Sequence, residues 1–401
     1  MKKLFLFLFL SLNSKDVFVG TLSSNFAHGN EVFMFEFSDE YLLNKNYPII
    51  DPLLFYFSGS QYDFHFLNDM APDRFGTILI DKYEQVEALK NNRPVKKLTL
   101  SDYLVRVNDL SRMGALRIKE KMDGPFLNDD SYNAIPPYVY LRDIEYASIK
   151  LEEDNDIDND VYRRLLLPGS SLGGARPKAS VYISDDVYLA KFPSRNDGYD
   201  VELWEYITLE IARKLGLDVP KTKLDKFSNY GHTLLVKRFD RDKSKRIHYI
   251  SAVTALGTTD GSSGQYSYLD LANFINSNCV DVRKNLIELY KRMVFIYLIN
   301  NTDNHLRNHA FIYRENGYEL SPLFDVNPSL YNADFELSFG NGNTTNGLIS
   351  VSKYFYIDEE SAKEIINDFK NTIINELNKY ILIYPKIRLE ASTLLKIIER
   401  K

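Results

Sequence analysis

NTDNHLRNHAFIY, residues 301–313, and LSPLFDVNP, residues 320–328, decide how this chain is read. Moving a phosphoryl group from a nucleoside triphosphate requires a carboxylate to orient the attacking hydroxyl, and ligands for the magnesium ions that neutralise the phosphates. In sites of the protein-kinase type these groups are an Asp, an Asn five residues later, and a second Asp beyond a short hairpin. Asp303 and Asn308 have that spacing, and HAFIY followed by YELSPLFD offers two strands with Asp325 at the end of the second. An Asp and an Asn so spaced often do no more than close a loop after a helix. The strand, turn, strand, Asp sequel is what raises the pair above that background.

Such a site also needs a lysine on a strand to hold the phosphates and a helix glutamate to hold that lysine. VYLAKFP places Lys191 on an expected strand, and the helix that follows offers Glu202, Glu205 and Glu210. Ahead of the strand, GSSLGGARPKAS (169–180) is a Gly/Ser-rich turn whose backbone N–H groups can cradle phosphate. It lacks the Gly-Lys-Ser/Thr ending of a Walker A loop. Taken singly, the lysine reads as a surface residue and the turn as a plain loop.

The remaining composition sets bounds. The 401 residues allow two or three domains, and 44% apolar with 26% charged residues is ordinary for a globular chain. A net charge of −6 argues against binding nucleic acid by charge alone. The single cysteine, Cys279, excludes an intrachain disulfide, favours a reducing, cytoplasmic setting and reads as a small buried residue. Six histidines without a His/Cys cluster suggest no zinc site, and no run reaches the ~18 apolar residues of a membrane span.

Along the chain, residues 1–70 break into short apolar pieces, LFLFLFLSL, VFVGTL, EVFMFEFS and LLFYFSGS, which predict antiparallel strands. The opening MKKLFLFLFL also has the basic start and apolar core of an export signal, but SLNSKD supplies a poor cleavage site. A retained strand that turns at NSKD onto VFVGTL is the expectation. Helices are expected from about 68 to 120, with Ser101 as a cap, and over VELWEYITLEIARKLGLDVP, where Trp204, Ile207, Ile211 and Leu215 share a face. LEEDNDIDND (151–160) reads as a solvated loop or helix end, since it lacks the glycine and terminal glutamate of a calcium loop. Beyond about 245 the chain turns mainly helical. The expected fold is α+β and bilobal, of protein-kinase type. Its expected divisions are a β-rich amino-terminal subdomain (1–115), a strand-rich lobe with the Gly-rich loop (116–240) and a helical lobe with the catalytic loop (241–401).

On these pieces the sequence resembles the HipA family of bacterial serine/threonine kinases, the toxin halves of HipB–HipA toxin–antitoxin modules. The matching stretches are GTL at 20–22, GGARPKA, AKF, EYITLEIARKLGLDVP, VKRFDR, NTDNHLRNHAF and LSPLFDVNP, in the family's order. The resemblance implies Asp303 as catalytic base, Asn308 and Asp325 as Mg²⁺ ligands, and Lys191 on the ATP phosphates with Glu205 as its ion-pair partner. It further implies that Gly173, Gly174, Ala175 and Lys178 belong to the ATP loop, and that backbone groups of Lys237 and Phe239 face adenine. The family often has Glu at the position of Lys237, and AQxK where this chain has ARPK. HipA-like kinases silence themselves by phosphorylating a loop serine, and Ser171, with Ser170 beside it, falls at the matching offset. A phosphate there adds about −1.5 to −2 charges against ATP. The implied partners are a HipB-like helix-turn-helix antitoxin, DNA only through that antitoxin, and a protein substrate such as an aminoacyl-tRNA synthetase. Two other readings stand beside this one: an antitoxin-bound corepressor with little kinase activity, and a small-molecule kinase on the same fold.

Overall fold

The computed structural model describes residues 2–11, 14–127, 135–153, 176–243, 245–314, 317–331 and 333–401. The chain packs as two compact units, Met1–Glu202 with Lys223–Ile250, and Leu203–Thr222 with Ser251–Lys401.

The first unit opens with β1 (Lys2–Leu10), β2 (Lys15–Ala27) and β3 (Asn30–Phe37), an antiparallel meander. With β4 (Ser60–Gln61) and β5 (Leu116–Lys119) it forms a five-stranded sheet in the order β4-β3-β2-β1-β5. Leu4, Leu6 and Leu8, spaced by two, point into one core with Val17, Val19, Leu22 and Phe35. The apolar start of the chain is thus a strand paired on both sides. Gly20, in the GTL stretch, is required by close approach: a Cβ there would lie 2.1 Å from the Glu36 carbonyl oxygen.

Two local expectations are corrected. LLFYF is a loop, because the buried Asp51 carboxylate accepts the Leu53, His65 and Phe66 N–H groups and winds the chain around itself, leaving Phe55 76% exposed. The helix Leu100–Arg106 is capped at Thr99, with Ser101 inside it, since the Asp102 carboxylate reaches back to the Thr99 N–H at 3.2 Å.

Further along the same unit, β6 (Lys178–Ile183), β7 (Asp186–Lys191), β8 (Thr222–Asp225) and β9 (Thr233–Lys237) form a sheet in the order β6-β7-β9-β8. Ala179, Val181, Ala190 and Leu235 of this sheet pack with Leu141, Ile144 and Ala147 of the helix Leu141–Glu153. The acidic run begins in the last turn of that helix; its remainder, 154–160, lies outside the described residues.

RFDR, residues 238–241, ties the two sheets' segments together. Asp240 is fully buried and accepts from Arg238 (2.9 and 2.7 Å), Arg241 (2.7 Å) and the Gly114 N–H (2.8 Å). The same guanidiniums donate to the Leu110, Ser111, Arg112 and Gly114 carbonyls. Gly114 takes φ +71°, which admits glycine readily. Asp109 is the second anion of this cluster and accepts from Arg117 and Arg246.

The second unit is mainly helical, with Tyr268–Asn278, Val282–Leu298, Glu359–Ile383 and Arg388–Arg400, interrupted by the hairpin Ala310–Arg314 and Gly317–Leu320. The helix Val201–Lys214 buries Trp204, Ile207 and Ile211. Cys279 is half-buried, and burial with the nearby Glu319 carboxylate pushes its thiol up to about 12. No helix of the described residues is long and apolar enough to cross a membrane.

Candidate active site

The loop that carries Asp303 leaves the helix Val282–Leu298 through a left-handed residue, Asn300, at φ +58°. The Asn301 N–H bonds the Ile296 carbonyl and the Asn300 N–H the Tyr297 carbonyl, the paired bonds of a Schellman cap. From there neutral groups tie the loop to the segment 329–337. Asn300 Nδ2 donates to the Ser329 carbonyl (2.8 Å), and the Thr302 and Ser329 hydroxyls bond each other. The Glu336 N–H reaches the Thr302 carbonyl at 3.1 Å. The Asn304 amide exchanges two bonds with the Leu337 backbone, at 3.1 and 3.2 Å.

Within that frame Asn308 Nδ2 donates to the Asp303 carbonyl at 2.8 Å, closing the five-residue loop that the spacing suggested. The Asp303 side chain is 74% exposed, with His305 Nε2 at 3.8 Å. The protein atoms packed against the carboxyl desolvate part of it, and Asp325 and Glu336 repel its charge. Its pKa therefore lies above the ordinary value, although His305 pulls the other way. Asp325 follows the hairpin at φ +56°, a left-handed backbone that Asp tolerates better than most residues. The structure thus gathers Asp303, Asn308 and Asp325. It adds Glu336, which carries no motif and sits in an unremarkable stretch, so sequence reasoning had no signal for it. Carboxylates held together without full relief of their repulsion, beside an amide, are the hard oxygen donors that magnesium prefers. Among the described residues, no group of three or more His, Cys, Asp or Glu side chains comes close enough to hold a metal ion by itself; magnesium in nucleotide sites is held by one or two carboxylates together with substrate phosphates.

In the first unit, Lys178 and Lys191 face each other directly across β6 and β7, and both are buried. Like charges directly opposite on paired strands are unfavourable. Lys178 Nζ lies 3.5 Å from Asp73 Oδ2, at the cap of the helix Arg74–Lys90. Lys237 pairs with Asp186 at 2.6 Å, and Phe239 is half-buried against Tyr249. Ser170, Ser171, Gly173, Gly174 and Ala175 lie outside the described residues.

Arg176, which departs from the family pattern, is neutralised. Its guanidinium grips Asp197 with two 2.6 Å bonds and donates to Glu202 Oε1 at 2.8 and 3.1 Å. Burial lifts Glu202 to about 8 against the pull of Arg176. Of the three helix glutamates, Glu202 is thus engaged by Arg176 and Glu210 by Arg213 and Thr222. Glu205, between them in the helix, is buried as Glu202 is.

Residues 170–377 match the family model of the HipA-like C-terminal domain, half of the chain. A Haemophilus influenzae protein, named only provisionally as a kinase, is 30% identical over 52% of this chain and 71% of its own length. A Sinorhizobium fredii protein with a similar provisional kinase name is 28% identical over 40% of this chain and 39% of its own. Among solved structures, HipA of Shewanella oneidensis, in a complex with HipB and its operator DNA, superposes with a TM-score of 0.64 over 96% of this chain and 95% of that one, at 17% identity. The fold is accordingly the α+β, kinase-type fold expected from the sequence. The chain belongs to the HipA family, whose relatives carry kinase names.

Proposed function

We propose that this protein is an ATP- and Mg²⁺-dependent serine/threonine protein kinase in which Asp303 takes the proton of the attacking hydroxyl. The exposed Asp303 carboxyl, fixed through its own carbonyl by Asn308 and raised in pKa beside Asp325, carries this reading. Asn308 and Asp325 would hold magnesium, which when bound neutralises charge on the phosphates. The buried strand lysines Lys178 and Lys191 are proposed to meet the ATP phosphates, with Glu205 as the counter-charge for Lys191. The backbone of Lys237 and Phe239 is proposed to meet adenine, and Gly173, Gly174 and Ala175 to cover the phosphates.

The Shewanella relative is named as one half of a toxin–antitoxin system with HipB and operator DNA. By that likeness we assign this chain the toxin role in the cytoplasm, a HipB-like antitoxin as partner, DNA contact through it, and a translation component such as an aminoacyl-tRNA synthetase as substrate. Autophosphorylation at Ser171 or Ser170 would silence it.

The test is phosphoryl transfer from γ-labelled ATP by the purified chain. Asp303→Asn should lower the rate by about 10²–10⁴-fold, the usual contribution of a general base. Full activity in that variant refutes the role of Asp303. No label on any protein acceptor, with binding of the antitoxin intact, leaves the corepressor reading instead. Phosphate on neither Ser170 nor Ser171 in the mass spectrum removes the self-silencing proposal.

A further inference from the structure

A helix that ends on a catalytic loop presents the negative end of its dipole there, and a basic residue in its last turn is the usual complement. The helix Val282–Leu298 has none in its last turn. A cation arrives instead from a distant part of the sequence. Lys401, which follows the helix Arg388–Arg400, donates from Nζ to the Tyr297 carbonyl and, at 2.9 Å, to Asn300 Oδ1. The ammonium lies 4.6 Å from the centre of the Tyr297 ring and 5.3 Å from that of Phe335. The Lys401 backbone is anchored as well, its carbonyl accepting from Thr345 Oγ1 at 2.9 Å. Burial pulls the amine down to about 7, and either protonation state keeps two hydrogens for the two oxygens.

Asn300 explains why this contact matters. Glycine would suit its left-handed backbone better, yet the asparagine side chain is used at both ends. Its Nδ2 holds the Ser329 carbonyl and its Oδ1 receives Lys401. The residue stands three positions before Asp303. We infer that Lys401 is a positioning residue for the loop that carries Asp303: it completes the end of the helix Val282–Leu298 and fixes Asn300 at the point where the loop departs. The latch is a matter of geometry; its effect on catalysis rests on the kinase reading above.

The test uses the full chain and two readouts, hydrogen exchange at amides 299–309 and phosphoryl transfer. Lys401→Met keeps the apolar stem and loses the amine. It should speed exchange in that loop about tenfold and lower kcat several-fold, with KM for ATP within twofold. Asn300→Gly should act similarly, and the double variant should fall short of the sum of the two singles, because they share the Lys401–Asn300 bond while each also loses one of its own. Lys401→Cys alkylated with 2-bromoethylamine, which forms a C–S bond and releases bromide, puts an ammonium back at the same reach and should restore slow exchange. The high pKa of Cys279 makes it the slower thiol. Unchanged loop exchange in Lys401→Met, or strict additivity in the double variant, overturns the latch. If Lys401→Met unfolds as a whole, a failure of aminoethylation to restore the fold overturns it too. A wild-type chain that transfers no phosphate defeats the kinase reading, while the exchange measurements still judge the latch.

Discussion

Asp240 and Asp303 are both aspartates on irregular segments, and the two units treat them in opposite ways. Burial alone would raise Asp240, but the Arg238 and Arg241 guanidiniums outweigh it and hold the carboxyl well below the usual range. Its charge is paired within the protein by Arg238 and Arg241, as that of Asp109 is by Arg117 and Arg246. Asp303 stands in solvent, raised by partial desolvation and by Asp325, on a loop held by amides and hydroxyls. A charge satisfied internally holds the fold together. One that is left repelled is available to a ligand, and supports that bond its loop rather than its carboxyl hold it without cancelling it.

The strongest way to break this contrast is to remove the two carboxylates in turn. Asp240→Ala strands Arg238 and Arg241 in the interior and should cost about 3–5 kcal/mol, read by chemical denaturation. Asp303→Asn should change stability by less than about 0.5 kcal/mol while activity collapses. Equal losses of stability in the two variants would erase the distinction. Asn304→Ala tests the neutral support: it leaves the Leu337 N–H and carbonyl without their partners and should cost about 1–3 kcal/mol. Its transfer rate should fall with the loop's protection from exchange.

A smaller effect comes from acid. His248 in the first unit and His309 in the second are buried, and burial lowers them to about 4 and about 3. The unfolded chain takes up protons on both near pH 6.5, while the folded chain resists. The stability they contribute is therefore complete above about pH 6.5 and is lost as pH falls toward 4 for His248 and 3 for His309. Denaturation at pH 7 and 4.5 should show a drop that His248→Gln and His309→Gln each reduce. The smallest effect has the opposite sign. Glu202, raised to about 8, stays protonated when folded, so its stabilising contribution fades as pH rises from about 4.5 to 8. Glu202→Gln should flatten that part of the curve.

How much was legible follows from the range of each interaction. The strands β1 to β3 and the helix Val201–Lys214 were readable because apolar spacing and the local turn residues agree. LLFYF misled because its apolar run is real, while the Asp51 side chain that overrides it draws on residues up to fifteen positions away. The five-residue link between Asp303 and Asn308 was visible because it is local. Glu336, and the grip of Asp197 and Glu202 on Arg176, were not visible, since their partners are brought together only by folding.

By itself, the sequence determined the order of elements, the strand at its start, the family and the loop that carries Asp303, all of which rest on short-range pattern. The tertiary structure decided which groups meet which partners. It made RFDR a clamp on the segment 110–114, neutralised Arg176, set Lys178 against Lys191 across a strand pair and brought Lys401 to Asn300. Each depends on a distance between residues far apart in the chain, and such distances exist only once the chain has packed.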